Sequence, residues 1–133
     1  MKHLIVLTAL LLGGCVSAPT SEEMSSADYG PPPKDYEATV REYLSQTLKD
    51  PYSYDLRFLF EPRKDWSGLG ARKQFGYAVC ANVNAKNSFG AYTGFKLTYF
   101  LIRNDRVVAS VGGTGAPQED ISAKQQCNPD KRA

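Results

Sequence analysis

Few residues in this 133-residue chain have catalytic potential. Its single histidine is His3, so an imidazole base or metal ligand is present only at the start of the chain. Ser88 and Lys86 suggest a Ser–Lys hydrolase, but nearby positions in a loop do not establish the geometry that activates a hydroxyl. The glycine-rich run at 112–115 lacks the Gly-Lys-Ser/Thr ending of a phosphate-binding loop. We therefore predict that the protein is not an enzyme, and we assign no catalytic residue, cofactor or metal ligand.

The N-terminal residues have the features of an export signal. A positive start at 1–3 precedes nine mostly apolar residues at 4–12, which as a helix would reach about 14 Å, roughly half of a bilayer core. The following Leu12-Gly13-Gly14-Cys15 resembles the lipobox of bacterial lipoproteins. That resemblance implies a signal peptide at 1–14, cleavage before Cys15 and a diacylglycerol on its thiol. The alternative is an ordinary secretory signal with an incidental cysteine.

The same resemblance implies a location. Gram-negative lipoproteins kept at the inner membrane often carry Asp after the lipidated cysteine, whereas this chain continues with Val16 and Ser17. We therefore expect a protein anchored in the outer membrane through Cys15 and facing the periplasm. Because the formal net charge is only +2, a nucleic-acid partner is not expected.

The two remaining cysteines fit an oxidising compartment. With Cys15 lipidated, Cys80 and Cys127 form an even pair, for which a disulfide is the first expectation. A redox-active or nucleophilic cysteine is the alternative, but the sequence has neither a CxxC spacing nor a histidine near either thiol. We predict a structural disulfide.

The chain divides into a tether and one domain. Residues 15–34 are rich in Ser, Pro and acidic residues, so we predict a flexible spacer that lifts the domain off the membrane. Apolar residues recur at helical spacing over 36–49, with Asp35 as N-cap, and predict an amphipathic helix. Its apolar stripe fits core packing better than a membrane surface or a partner helix.

Alternating apolar residues predict the rest of an α+β domain at 35–133. Four strands are expected near 54–60, 77–83, 95–102 and 107–111, followed by a short helix near 119–126. Arg103-Asn104-Asp105-Arg106 has the composition of a tight turn between the last two strands. The expected fold is a roughly four-stranded antiparallel sheet with an N-terminal helix packed on it, in the order α-β-β-β-β-α. The basic segment 62–74 is expected to be a solvated hairpin loop with Trp66 folded onto the core. The alternative is a loop that contacts anionic lipid, glycan or nucleic acid.

The segment at 83–95 is the most distinctive part of the sequence. Its short polar side chains favour turns, its two glycines permit sharp reversals, and Phe89, Tyr92 and Phe95 could fold back to pin it. The same residues could instead bind a ligand or partner, because polar loops on rigid sheets often carry function. The candidate binding residues are Asn84, Lys86, Asn87, Ser88 and Tyr92.

This segment also carries a resemblance. Val83-Asn84-Ala85-Lys86-Asn87-Ser88, followed by F-G-x-Y-x-G-F, is similar to a signature in small uncharacterised bacterial exported proteins and lipoproteins. The upstream LKDPYS at 48–53 resembles the helix-ending sequence of the same proteins. The resemblance covers 40–102 and implies no activity. Ala91 stands where many of those proteins have glycine, which would restrict the loop if its backbone needed a positive φ.

Three functions remain open from the sequence. The first is a lipid-anchored binding or interaction module of the bacterial cell envelope, with an envelope protein as its partner. The second is a proteinaceous inhibitor of a periplasmic or host hydrolase, whose loop would enter a foreign active site. The third is the Ser–Lys hydrolase.

Overall fold

The computed structural model describes residues 17–131 and places them in an α+β fold, as predicted. None of the helices in this range is long and apolar enough to cross a membrane. Two short 3-10 turns lie at Gly70–Arg72 and Pro129–Lys131. The main elements, in chain order, are α1 (Ser21–Ser26), α2 (Tyr36–Thr47), β1 (Tyr54–Phe58), β2 (Arg63–Ser67), β3 (Gln74–Ala85), β4 (Lys96–Arg103), β5 (Arg106–Gly112) and α3 (Pro117–Cys127).

The sheet is antiparallel and has five strands instead of the four expected. β3 pairs with β4 along one edge, and β4 pairs with β5. Along the other edge of β3, β1 pairs with its C-terminal half and β2 with its N-terminal half. The loop predicted for 62–74 was therefore wrong over β2. Its charged sequence RKDWS hides the strand, because an edge strand can pair through its backbone with few apolar side chains.

The sheet buries apolar side chains on both faces. The face under α2 holds Val79, Ala81 and Phe100, together with Val40 and Leu44 from the helix. The face under α3 is built from other residues of the same two strands, namely Ala78, Cys80, Tyr99 and Leu101. β3 and β4 therefore alternate between two cores, as their sequences predict.

Phe60 is a correction to the predicted first strand. The sequence places it on the face of Tyr54, Leu56 and Phe58, whereas it packs in the core under α3. The physical reason is that Phe60 lies in the irregular segment 59–62 between β1 and β2. Four residues there stand opposite Val79 and Cys80 of β3, so the alternation of a regular strand is lost.

Local sequence signals mark the start of α2 and the turn between β4 and β5. The Asp35 side chain accepts a hydrogen bond from the backbone N–H of Ala38, as expected for an N-cap. The helix ends at Thr47, two residues before the predicted end. Asn104 and Asp105 have φ values of 52° and 56°, which confirms the tight turn between β4 and β5.

The predicted disulfide is present and joins α3 to the sheet. The Cys80 and Cys127 sulfurs are bonded across a sequence separation of 47 residues. α3 runs slightly further than predicted in both directions and buries only Ala123 and Cys127. The bond therefore supplies much of the attachment of this helix.

The prediction of a flexible tether at 15–34 needs correction over 17–34, the part that the structure describes, because these residues contact the domain. Thr20 caps α1 through a capping box, and the Ser17 carbonyl accepts a hydrogen bond from Gly70 N–H at 3.2 Å. Tyr29 packs edge-on against Phe75, with ring centroids 5.6 Å apart. This aromatic contact attaches the N-terminal segment to β3 of the sheet. The Ser and Pro content of the segment had predicted no contact with the domain.

Two ion pairs fasten the same segment. Lys73 Nζ lies 2.6 Å from Glu23 Oε1, and Arg103 Nη2 lies 2.8 Å from Asp28 Oδ2. The hydrogen bond from Lys73 lowers the pKa of Glu23. The Gly30 backbone N–H, followed by Arg103, lowers the pKa of Asp28. Both carboxylates are therefore held in the ionised form against the domain.

Candidate functional site

The residues predicted to bind lie in and beside a hairpin, residues 86–95, that connects β3 to β4. Lys86 and Tyr92 form an isolated antiparallel bridge. Below it, Thr93 N–H donates to the Ala85 carbonyl at 3.1 Å, and above it Asn87 N–H donates to the Ala91 carbonyl at 2.9 Å. The hairpin is thus an ordered extension of the sheet.

Two of the candidate residues have a structural role here. Asn87 Oδ1 accepts hydrogen bonds from Phe89 N–H at 2.9 Å and Ala91 N–H at 3.1 Å. Asn84 Oδ1 accepts from Gly94 N–H at 3.0 Å, closing the base of the hairpin. Because each amide oxygen is used by the backbone, these two residues shape the hairpin. Ala91 is not among the residues with positive φ, so it does not strain the loop.

Aromatic side chains at this end of the sheet face solvent. Phe89 is 95% exposed, Tyr92 51% and Phe95 41%. Tyr52, which is 95% exposed, lies in the turn before β1, whose first residue Tyr54 pairs with Ala85 at the base of the hairpin. We call these four residues the aromatic surface. The expectation that Phe89 folds back to pin the loop was wrong, because backbone hydrogen bonds hold it without that ring.

Cationic side chains accompany the aromatic surface. Lys86 Nζ lies 5.2 Å from the centroid of the Tyr92 ring, and the Arg57 guanidinium lies 4.2 Å from that of Phe95. Such cation–ring contacts hold extended side chains in defined positions. The exposed rings and cations together form a surface that an acidic or aromatic partner would fit.

The structure does not bring Ser88 and Lys86 together as a hydrolytic pair. Ser88 Oγ instead accepts a hydrogen bond from Lys49 Nζ at 2.8 Å. Ser88 and Lys49 are both exposed, whereas a lysine that activates a hydroxyl needs a desolvated position. The contact fastens the hairpin to the segment that follows α2.

A groove runs beside the hairpin, where the sheet extends past the C-terminal end of α2. Its volume is about 480 Å³. The floor is apolar, with Leu44, Val83 and Phe100 among its residues, and three lysines line it: Lys49, Lys86 and Lys96. We call this cavity the lysine groove. Sequence reasoning missed it, because nothing in the sequence shows that Lys49, at the end of α2, lies in the same groove as Lys86 and Lys96.

The other predicted site residue, Cys15, lies outside the described residues, so its lipidation stays a prediction. Among the residues that the structure does describe, no cluster of three or more His, Cys, Asp or Glu side chains could hold a metal ion. Comparison with protein-family models, curated proteins and solved structures finds no match. Function must therefore be argued from the site itself.

Proposed function

We propose that this protein is a lipid-anchored, periplasm-facing binding module of the bacterial cell envelope, and that it recognises a protein partner through the aromatic surface. The observation that carries the proposal is the 95% exposure of Phe89 on an ordered hairpin. Burying a fully exposed aromatic side chain in a partner would supply about 1.5–3 kcal/mol.

Rigidity makes this exposure useful for binding. The two Asn side chains and the Lys86–Tyr92 bridge fix the backbone on both sides of Phe89. A loop that is already ordered loses little conformational entropy when it binds, so more of the contact energy appears as affinity. Aromatic residues are also the side chains most enriched at the centres of protein interfaces.

The orientation of the chain favours a partner away from the anchoring membrane. Ser17 lies against Gly70, at the end of the sheet where β3 begins. The hairpin follows the opposite end of β3, and a strand of this length spans about 36 Å. A lipid on Cys15 is separated from Ser17 by about 7 Å of chain at most. With a lipid on Cys15, the aromatic surface would lie at the end of the sheet remote from the membrane, which supports the proposal.

Inhibition of a hydrolase is the second candidate function. The specific observation in its favour is the same pre-ordered hairpin with a projecting side chain at its tip, a shape that fits an enzyme cleft. The two proposals differ in the partner. An inhibitor would bind a hydrolase in its active site and block turnover, whereas an envelope module would bind its partner without affecting catalysis.

Site-specific photocrosslinking in intact cells tests the proposed surface. A photoreactive phenylalanine at position 89 should yield a discrete adduct with one protein, and Tyr92→Ala should reduce its yield. The matched control is position 121, because Ile121 is also exposed, at 49%, but lies on α3. Adducts of equal yield at both positions, or none at position 89, would contradict recognition by the hairpin. Mass spectrometry of the adduct and an activity assay of the partner distinguish the module from the inhibitor.

The membrane anchor needs its own test. Cys15→Ser should abolish incorporation of radiolabelled palmitate and leave the signal peptide uncleaved by the lipoprotein peptidase. Palmitate labelling that persists in this variant would contradict the anchor. It would leave recognition by the hairpin unaffected, because the crosslinking experiment does not depend on lipidation.

A further inference from the structure

We propose that the lysine groove binds a small amphiphilic anion, a molecule with a carboxylate or phosphate group on a short apolar chain. This inference goes beyond the proposed function, because the groove lies on the α2 face of the sheet and takes a small molecule in place of a protein. It uses Lys49 and Lys96, which the aromatic surface does not contain.

The charges lining the groove are of one sign. Lys49, Lys86 and Lys96 line it, and no Asp or Glu is among its lining residues. Within residues 17–131 the ion pairs are formed by Lys73 and Arg103, so none of the three groove lysines has a carboxylate within 4 Å. Three cations that line one cavity without counter-charges favour an anionic ligand.

Each of the three lysines makes a neutral contact through its ammonium group. Lys96 Nζ donates to the Thr114 carbonyl at 3.2 Å, and Lys49 Nζ donates to Ser88 at 2.8 Å. The Lys86 ammonium lies against the Tyr92 ring. An ammonium group has three donors, so these contacts position the cations and leave donors for a ligand. The nearby carboxylate of Glu119 is engaged with Thr114 Oγ1 at 2.7 Å.

The floor of the groove selects an apolar chain. Leu44, Val83 and Phe100 line the groove as buried core residues on the α2 face of the sheet. Partly exposed apolar surface is added by Tyr43, Leu48 and Ala85. A volume of about 480 Å³ falls within the range of small-molecule sites, roughly 300–1,000 Å³. An apolar body with a few placed polar groups is the usual composition of such sites. Inorganic phosphate alone would leave the partly exposed apolar side chains of the groove in contact with water.

The position of the groove favours a soluble ligand over a bilayer headgroup. Its residues come from the ends of α2, β3 and β5 and the start of β4, beside the hairpin. This is the end of the sheet remote from Ser17. A headgroup in the membrane that holds Cys15 would have to reach across the length of β3.

Isothermal titration of the full chain, held in phosphatidylcholine nanodiscs, tests the proposal. The probes are hexyl phosphate, hexanol and inorganic phosphate. We expect hexyl phosphate to bind at least tenfold more tightly than either of the other two. Lys96→Gln and Lys49→Gln should each weaken hexyl phosphate by about fivefold, the upper range for a partly exposed charge contact. Lys124→Gln is the matched control, because Lys124 is exposed on α3, and it should change nothing.

Several results would overturn the inference. If hexanol bound as tightly as hexyl phosphate, the lysines would have no role in binding. If inorganic phosphate bound as tightly as hexyl phosphate, the apolar lining would have none. Unchanged affinity in the double variant of Lys49 and Lys96, with its melting temperature intact, would show that the anion binds elsewhere. Nanodiscs containing phosphatidylglycerol should leave the affinity for hexyl phosphate unchanged. Competition from that lipid would contradict a soluble ligand.

Discussion

Two glycines with similar backbone conformations should respond very differently to the same substitution. Gly112, at the end of β5, has a φ of 97°, and Gly90, in the hairpin, has a φ of 79°. A Cβ atom on Gly112 would lie 2.4 Å from the Leu97 carbonyl oxygen and 2.8 Å from the Ala123 Cβ. A Cβ atom on Gly90 would meet nothing within 4 Å. Replacement by alanine therefore separates backbone strain from steric conflict.

The expected costs follow from these surroundings. A positive φ costs an alanine about 1–2 kcal/mol. We expect Gly90→Ala to lose about 1 kcal/mol, since backbone strain is its main cost. Gly112→Ala adds an overpacking cost of about 1–3 kcal/mol, because one neighbour is backbone and the other is the buried Ala123 of α3. The expected total for Gly112→Ala is about 3 kcal/mol.

Equilibrium unfolding in urea measures both values. Trp66 is the only tryptophan in the chain and lies half-buried in β2, so its fluorescence reports on the fold. With a urea dependence of about 2 kcal/mol per molar, the midpoint should fall by about 0.5 M for Gly90→Ala and about 1.5 M for Gly112→Ala. The reasoning is refuted if the two shifts are equal, or if the Gly90 variant is the less stable.

Three further predictions concern the disulfide, the N-terminal segment and the hairpin. Replacing Cys80 and Cys127 together by Ser should cost up to about 4 kcal/mol in the same urea assay, from the 47-residue separation in the chain-entropy model; an unchanged midpoint would contradict it. The two carboxylates that fasten residues 20–34 have lowered pKa values in the fold. Their contribution to the stability of this segment is therefore complete above the ordinary carboxyl pKa and is lost as the pH falls through the lowered pKa. Amide NMR shifts of the segment should accordingly move toward random-coil values at acid pH and stay constant near neutrality. Asn87→Ala should destabilise the domain by about 2 kcal/mol through two lost backbone hydrogen bonds, whereas Lys86→Ala should cost less than about 0.5 kcal/mol; comparable losses by thermal unfolding would contradict this division.

Much of the fold was predictable because local patterns agree with the tertiary structure. The alternation in β3 predicts which residues meet each core, and Asp35 marks the start of α2. Asn104 and Asp105 predict the last turn, since both residue types tolerate a positive φ. β2 was missed because its sequence, RKDWS, lacks the apolar alternation of the other strands. An edge strand can pair through its backbone with few apolar side chains.

The site was less predictable, because its parts come from distant segments. Asn84 and Asn87 were identified as candidates from residue type alone, but only the structure distinguishes backbone support from recognition. Lys49 and Lys96 approach each other through the pairing of strands and the end of α2. The packing of Tyr29 against Phe75 was equally hidden, because a single aromatic residue in a Ser- and Pro-rich segment gives no periodic signal.

The few side chains that α3 buries imply that the closure of the second core depends on the redox state of its surroundings. The helix buries only Ala123 and Cys127, and Ile121 on its outer side is half exposed. Without the disulfide, we expect α3 to open as a local unit. Such opening exposes Tyr99 and Leu101, an apolar patch that favours aggregation or capture by a chaperone. Oxidation would then be the step that closes the second core, and reduction would leave it open.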